Sequence, residues 1–185
     1  MPPKPQAAVL LIDVQERLFP AMDDREALKS VLLLLLRGAK ILGLPILATE
    51  QYPKGLGATL LEIKAVLENA TILEKTSFSA SGAPGFWKEL GALDTKFIAV
   101  CGIEAHVCVY QTVVDLIEKK YLVSVVENAV SSRFPSDRGI GLRRLSQLGA
   151  AMVSAEMFLF EVMGDARHPK FKEISALVKE LAPKS

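Results

Sequence analysis

Residues 96–108 read KFIAVCGIEAHVC. After Lys96, five apolar residues run to Gly102, and the chain then enters a segment with helical spacing. Unbroken apolar residues indicate a strand buried on both faces, because a half-exposed strand would alternate. Five other runs read the same way: Ala8–Asp13, Pro45–Thr49, Thr71–Lys75, Leu122–Asn128 and Ala151–Ala155. Most are separated by helix-length patterned segments. These are Asp24–Leu42, with Asp23 or Asp24 as N-cap and Gly43 as stop, then Ala58–Glu68, Gly85–Leu90, Ala105–Lys120, Ser136–Leu148 and Lys170–Leu181. Strands alternating with helices predict an α/β fold with a parallel sheet covered on both sides. Right-handed crossovers then make it a three-layer α/β/α doubly wound sandwich. Its six-stranded parallel sheet is expected in the order 3-2-1-4-5-6.

The chain has 185 residues, half of them hydrophobic and 23% charged, which suits one globular domain. Lysine plus arginine total 22 against 21 acidic residues, a net charge of +1. That balance predicts no nucleic-acid partner and no anionic membrane surface. The start, Met1–Gln6, is polar, and the longest apolar run, Val31–Leu36, falls far short of the roughly 20 residues that span a bilayer. A cytoplasmic location is expected. Cys101 and Cys108 are the only cysteines, and His106 and His168 the only histidines. Neither a disulfide framework nor a structural zinc site fits that inventory.

Ligands of an open parallel sheet bind beyond the carboxyl ends of its strands. Asp13 closes the first run, Glu50 follows the second, Lys75 closes the third, and Cys108 lies six residues past Gly102. Each has a bland reading: a helix cap for Asp13, a solvated surface residue for Lys75. Cys101, inside its strand, reads as a small core hydrophobe. Cys108 differs in position, because a thiol in the first turn of a helix feels the positive end of the dipole, which favours thiolate. The unpaired N–H groups of that turn could hold an oxyanion.

These residues resemble the isochorismatase-like cysteine hydrolase superfamily. Ala8-Val-Leu-Leu-Ile-Asp13-Val-Gln15 is similar to its first strand and catalytic aspartate, and Glu74-Lys75-Thr76-Ser77-Phe78-Ser79 to its lysine segment. Cys101–Thr112 resembles the nucleophile segment, and Asn128–Arg133 with Asp137-Arg138 the segment after the fifth strand. The resemblance implies a catalytic triad of Asp13, Lys75 and Cys108. It also implies a cis peptide between Ile103 and Glu104, with the N–H groups of Glu104 and Cys108 forming the oxyanion site. Nicotinamidases place an Asp-x-His metal pair after the second strand; here that stretch is Thr49–Gly57, without histidine. No catalytic metal and no cofactor are therefore expected. The wording around Glu50-Gln51-Tyr52-Pro53 and Gly102–Cys108 most resembles the isochorismatase domain-containing and YcaC-like subgroup.

The implied reaction is attack of Cys108 on a small amide, carbamoyl or related carbon, with Asp13 as the proton acceptor and Lys75 holding Asp13 ionised and lowering the thiol pKa. Lys75 would have to bridge two strand spacings, roughly 10 Å. Phe19, Glu50, Gln51, Tyr52, Phe78 and His106 are the candidate pocket residues, and Thr112 supports Cys108 by packing from one turn along the helix. The dense run Met157–Phe160 suggests either a homo-oligomeric face or a further core element. The rival reading is a catalytically silent scaffold or a small-ligand binding protein.

Overall fold

The computed structural model describes residues 7–68 and 70–180. Met1–Gln6 and the end of the last expected helix, Leu181, lie outside the described residues. In chain order the elements are β1 (Ala7–Ile12), α1 (Arg25–Ile41), β2 (Ile46–Gln51), α2 (Pro53–Leu56), α3 (Leu61–Val66), β3 (Thr71–Lys75), α4 (Phe86–Ala92) and β4 (Phe97–Ile103). A π-helical turn, Ala105–Val109, then runs into α5 (Tyr110–Glu118). β5 (Leu122–Ser131), α6 (Pro135–Gln147), β6 (Ala151–Val153), α7 (Ala155–Met163) and α8 (Phe171–Glu180) follow. The six strands form one sheet in the order β3-β2-β1-β4-β5-β6, with every pairing parallel.

β1 shows why its sequence does not alternate. Val9 and Leu11 enter the layer formed with α1, α7 and α8, whereas Ala8, Leu10 and Ile12 enter the layer formed with α4, α5 and α6. Both faces are dry, so both must be apolar. The carboxyl ends of β1 and β4 are neighbours at the point where strand order reverses, in register Ile12 to Gly102. A crevice opens at such a point because the crossovers leave in opposite directions.

Several boundaries differ from the sequence expectation. The expected helix over 58–68 contracts to α3. Thr59 is held by the Glu50 carboxylate and pairs with Gln15 in an isolated bridge, so the stretch before α3 cannot coil. Asp24 stands at the start of α1 in a left-handed conformation and caps nothing with its side chain. α6 likewise has neither Ser136 nor Asp137 as its cap; Phe134 occupies that position and Pro135 the first turn. The expected strand over 151–155 stops at Val153, because Ser154 accepts from the Met157 N–H and starts α7. α7 absorbs most of the Met157–Phe160 run within the chain. Phe158 and Leu159 are fully buried, Phe160 meets Phe171 of α8 edge to face, and only Met157 is exposed.

Gly102 fixes the distance between β1 and β4 at the crevice. Its φ is +114°, and a side chain there would penetrate the Ile12 carbonyl. Gly102→Ala is expected to lower the unfolding free energy by at least roughly 3 kcal/mol, from backbone overlap plus an unfavourable φ. Urea unfolding monitored by circular dichroism checks this; a midpoint within error of the parent protein would contradict it.

Candidate active site

Asp13 is the first residue beyond β1 and has a left-handed backbone, φ 51°. Its N–H donates to the Thr49 carbonyl at 3.1 Å. Lys75 Nζ donates to Asp13 Oδ2 at 2.6 Å and Thr49 Oγ1 donates to Oδ1 at 2.7 Å. The carboxylate and the lysine side chain are both completely buried. Lys75 closes β3 and reaches past β2 to make this contact. The parallel register sets Gln51 of β2 beside it, so Gln51 lies along the path. Nζ also donates to Gln51 Oε1 at 2.7 Å, to the Phe78 carbonyl at 2.9 Å and to the Ser77 carbonyl at 3.2 Å. Four acceptors surround a group with three hydrogens. The ammonium is therefore fixed in position and has no hydrogen left over to donate elsewhere.

Cys108 sits within the π-helical turn, 8% exposed, close enough to Asp13 for the carboxylate to act on its thiol. Asp13, Thr49 and Lys75 form one hydrogen-bonded group, and Cys108, from a fourth part of the chain, stands beside it. The charge balance at sulfur is the opposite of the expectation from the helix dipole. Burial, Asp13 and Glu104 push the Cys108 thiol up to about 12, and Lys75 offsets this only in part. The physical reason is that Lys75 touches Asp13, so its charge is largely matched before it reaches the sulfur. The resting group is a thiol facing a carboxylate. Cys101, by contrast, is a core residue whose sulfur lies 3.7 Å from the Leu10 carbonyl.

The Ile103–Glu104 peptide bond is cis. The Glu104 carbonyl accepts from the N–H groups of Val107 and Val109, which anchors the turn. The Glu104 carboxylate accepts from Arg133, through its backbone N–H at 3.0 Å and Nε at 3.1 Å. α6 closes over this turn at Gly141, where an added side chain would meet the Ala105 carbonyl and His106 Cα at 3.0 Å.

The six expected pocket residues divide. Phe19 is not at the rim: it is 5% exposed and packs into the α1 core. Glu50 does not face outward either, because both the N–H and the hydroxyl of Thr59 take the same carboxylate oxygen at 2.7 Å. Gln51 serves Lys75 through Oε1 and the Thr76 carbonyl through Nε2. Tyr52 and Phe78 are more than half exposed; the Tyr52 N–H donates to the Lys75 carbonyl at 2.8 Å, and Phe78 follows Lys75 by three residues. His106 Nδ1 is 2.9 Å from Ser132 Oγ and Nε2 is 3.8 Å from Asp137. A cavity of about 300 Å³ between α1 and the end of β5 is lined by Asp23, Leu28, Asn128, Ser131 and Arg138, and none of the triad lines it.

Sequence reasoning missed two supports, Thr49 and Gln15, and the hydrogen bonds of a third, Thr112. Thr49 orients Asp13; its only signal is a polar side chain ending a run beside the aspartate strand. Gln15, fully buried, binds Gln51 through both its amide groups and also donates to the Gly57 carbonyl. Thr112 does more than pack: its hydroxyl donates to the Cys108 carbonyl at 2.7 Å and accepts from the Ala80 N–H at 2.9 Å.

A parallel sheet whose switch point presents a buried aspartate, a lysine and a thiol defines a class of cysteine-bearing α/β/α proteins. The isochorismatase domain model matches residues 7–157, and the chain belongs to the isochorismatase family. Isochorismatase domain-containing protein 2 of Homo sapiens is 39% identical over 183 residues, covering 98% of this chain and 87% of that one. Its Xenopus laevis counterpart is 39% identical over 180 residues, covering 97% and 86%. The solved MAR1 ribonuclease from Caenorhabditis elegans superposes with a TM-score of 0.90 at 37% identity, covering 98% of this chain and 93% of that one. The YcaC gene product of Escherichia coli, described as an octameric hydrolase of unknown specificity, gives 0.84 at 26% identity, covering 96% and 95%.

A thiol raised to about 12 and paired with a carboxylate predicts a particular alkylation profile. The rate of Cys108 carboxamidomethylation by iodoacetamide should be flat from about pH 7 to pH 9.5, without the inflection near 8.5 of an ordinary thiol. The sign for stability follows. The unfolded thiol ionises from about pH 8.5 while the folded one keeps its proton, so stability falls as pH rises from there towards 12. Peptide mass spectrometry across pH reads the first effect, and an inflection below pH 9 would contradict it.

Proposed function

We propose that this protein is a cysteine-dependent hydrolase acting on a small amide, carbamoyl or related C–N substrate. The observation that carries the reading is a fully buried carboxylate, Asp13, held by the Lys75 ammonium at 2.6 Å at the strand switch point where the Cys108 thiol also sits. A thiol is a poor nucleophile until it loses its proton, and here the acceptor is already in place. As sulfur bonds to the carbonyl carbon, its proton passes to Asp13 and the carbonyl electrons move onto oxygen. Collapse of this oxyanion breaks the C–N bond, and Asp13 returns the proton to the leaving nitrogen. A thioester-type acyl-enzyme remains; water adds to its carbonyl as Asp13 takes a proton, and the C–S bond then breaks with Asp13 returning that proton to sulfur. The N–H groups of Glu104 and Cys108 are assigned to the oxyanion, each worth roughly 3 kcal/mol in the transition state. Lys75 takes no part in proton transfer, since its hydrogens are already committed.

Among the described residues no helix is long and apolar enough to cross a membrane. A homo-oligomer is proposed by analogy with the octameric E. coli relative. The reading also places the protein in the cytoplasm, with a small-molecule substrate and no nucleic acid. The name of the C. elegans relative makes RNA the control substrate. Ammonia or amine release should be screened over short amides, ureido acids and nitriles, with a short RNA in parallel. Turnover of one C–N substrate is expected to fall at least about 1,000-fold in Cys108→Ala with the fold intact, a loss in the range seen when nucleophiles are removed. Retained C–N hydrolysis in that variant, or cleavage of RNA alone, would overturn the proposal.

A further inference from the structure

Asp115 lies on α5, seven residues and two turns beyond Cys108, and the chemistry proposed above does not use it. Its carboxylate is half-buried and faces the loop after β3. Oδ2 accepts from Ser79 Oγ at 2.6 Å and from Ser81 Oγ. Thr112, on the same side of α5, accepts from the N–H of Ala80 between them. Three consecutive residues of this loop are therefore pinned to the helix that follows the nucleophile. The carbonyls just before them, Ser77 and Phe78, are two of the four acceptors of Lys75 Nζ. The connections run from Asp13 to Lys75, from Lys75 to the Phe78 carbonyl, from the loop to Asp115 and Thr112, and from Thr112 to the carbonyl of Cys108, whose thiol in turn feels the Asp13 charge.

We infer that Asp115 is a positioning residue: through Ser79 and Ser81 it holds the loop whose carbonyls place the Lys75 ammonium against Asp13. Its carboxylate does not act on sulfur directly. The charges that bear on the Cys108 thiol are those of Asp13, Lys75 and Glu104. What Asp115 supplies is an acceptor for two hydroxyls on a loop with no regular structure beyond a short 3-10 turn at Ala80–Gly82. An asparagine would keep that acceptor and lose only the charge; an alanine would release both serines. A loosened loop moves the two carbonyls, and the ammonium then shares its hydrogens differently between them and Asp13.

The inference rests on the proposed role of the triad, and a double-mutant cycle separates the two claims. The probe is iodoacetamide at pH 7, and the readout is the rate of Cys108 alkylation by peptide mass spectrometry, with buried Cys101 as internal control. Lys75→Met is expected to slow alkylation at least about tenfold, because an unpaired buried carboxylate is too costly to keep and sulfur loses its proton acceptor. Asp115→Ala is expected to slow it about three- to tenfold, with Asp115→Asn within twofold of the parent. In the Lys75→Met background, Asp115→Ala should change the rate less than twofold, the non-additivity of residues acting as one unit. Equal slowing by Asp115→Ala in both backgrounds, or no slowing in the parent, would overturn the inference while leaving the triad standing. An unchanged rate in Lys75→Met would instead overturn the triad reading and the inference with it. Should Lys75→Met fail to fold, Ser81→Ala takes its place. It should slow the parent like Asp115→Ala and add less than twofold to it, and a multiplicative effect would count against the brace.

Discussion

A carboxylate with no access to water, held between a lysine and a threonine and facing a thiol, is the constraint on which the remaining structure depends. Isolated, a buried carboxylate is costly. Asp13 tolerates its position because Lys75 Nζ meets one oxygen and Thr49 Oγ1 the other. The ion pair is not thereby a source of stability, since desolvating both ions offsets most of their attraction. What it supplies is geometry: a carboxylate with fixed orientation beside sulfur.

The sheet order follows from the same need. Four chain segments must meet at one point, and only neighbouring strand ends at a switch point bring them there without long loops. β1 delivers Asp13, β2 delivers Thr49 and Gln51, β3 delivers Lys75, and the turn after β4 delivers Cys108. Gly102 allows β4 to approach β1 closely enough for the contact, and Gly141 lets α6 press down on the turn. Burial then sets the protonation state. The layer that excludes water from Asp13 also raises the thiol, so sulfur keeps its proton and no free thiolate is stored.

How far these features could be read from the sequence depended on what each residue reports. The central strands were legible because two-sided burial leaves no alternation, and AVLLID at 8–13 has none. α7 was not, since Ser154 interrupts an apolar stretch that reads equally as strand or helix until its hydroxyl is seen capping Met157. Asp13, Lys75 and Cys108 could be picked out from their places at strand ends and from family resemblance. Thr49 could not, because a threonine ending a strand is ordinary β-propensity. The direction of the Cys108 shift was not legible, because sequence shows a helix start and a lysine but not the burial that dominates at the sulfur. Glu50 and Phe19 stand where pocket residues would, yet the first is consumed by Thr59 and the second by the core.

Whether Asp13 accepts the thiol proton or merely repels sulfur is decided by one substitution. Asp13→Asn removes the acceptor and leaves the Lys75 charge unopposed. If the carboxylate only repels, sulfur becomes more acidic and reacts faster. Proton transfer from sulfur to Asp13 predicts the reverse: alkylation of Cys108 by iodoacetamide at pH 7 slows at least about tenfold, a change of roughly 1.4 kcal/mol in barrier. A rate equal to or above that of the parent protein would contradict it.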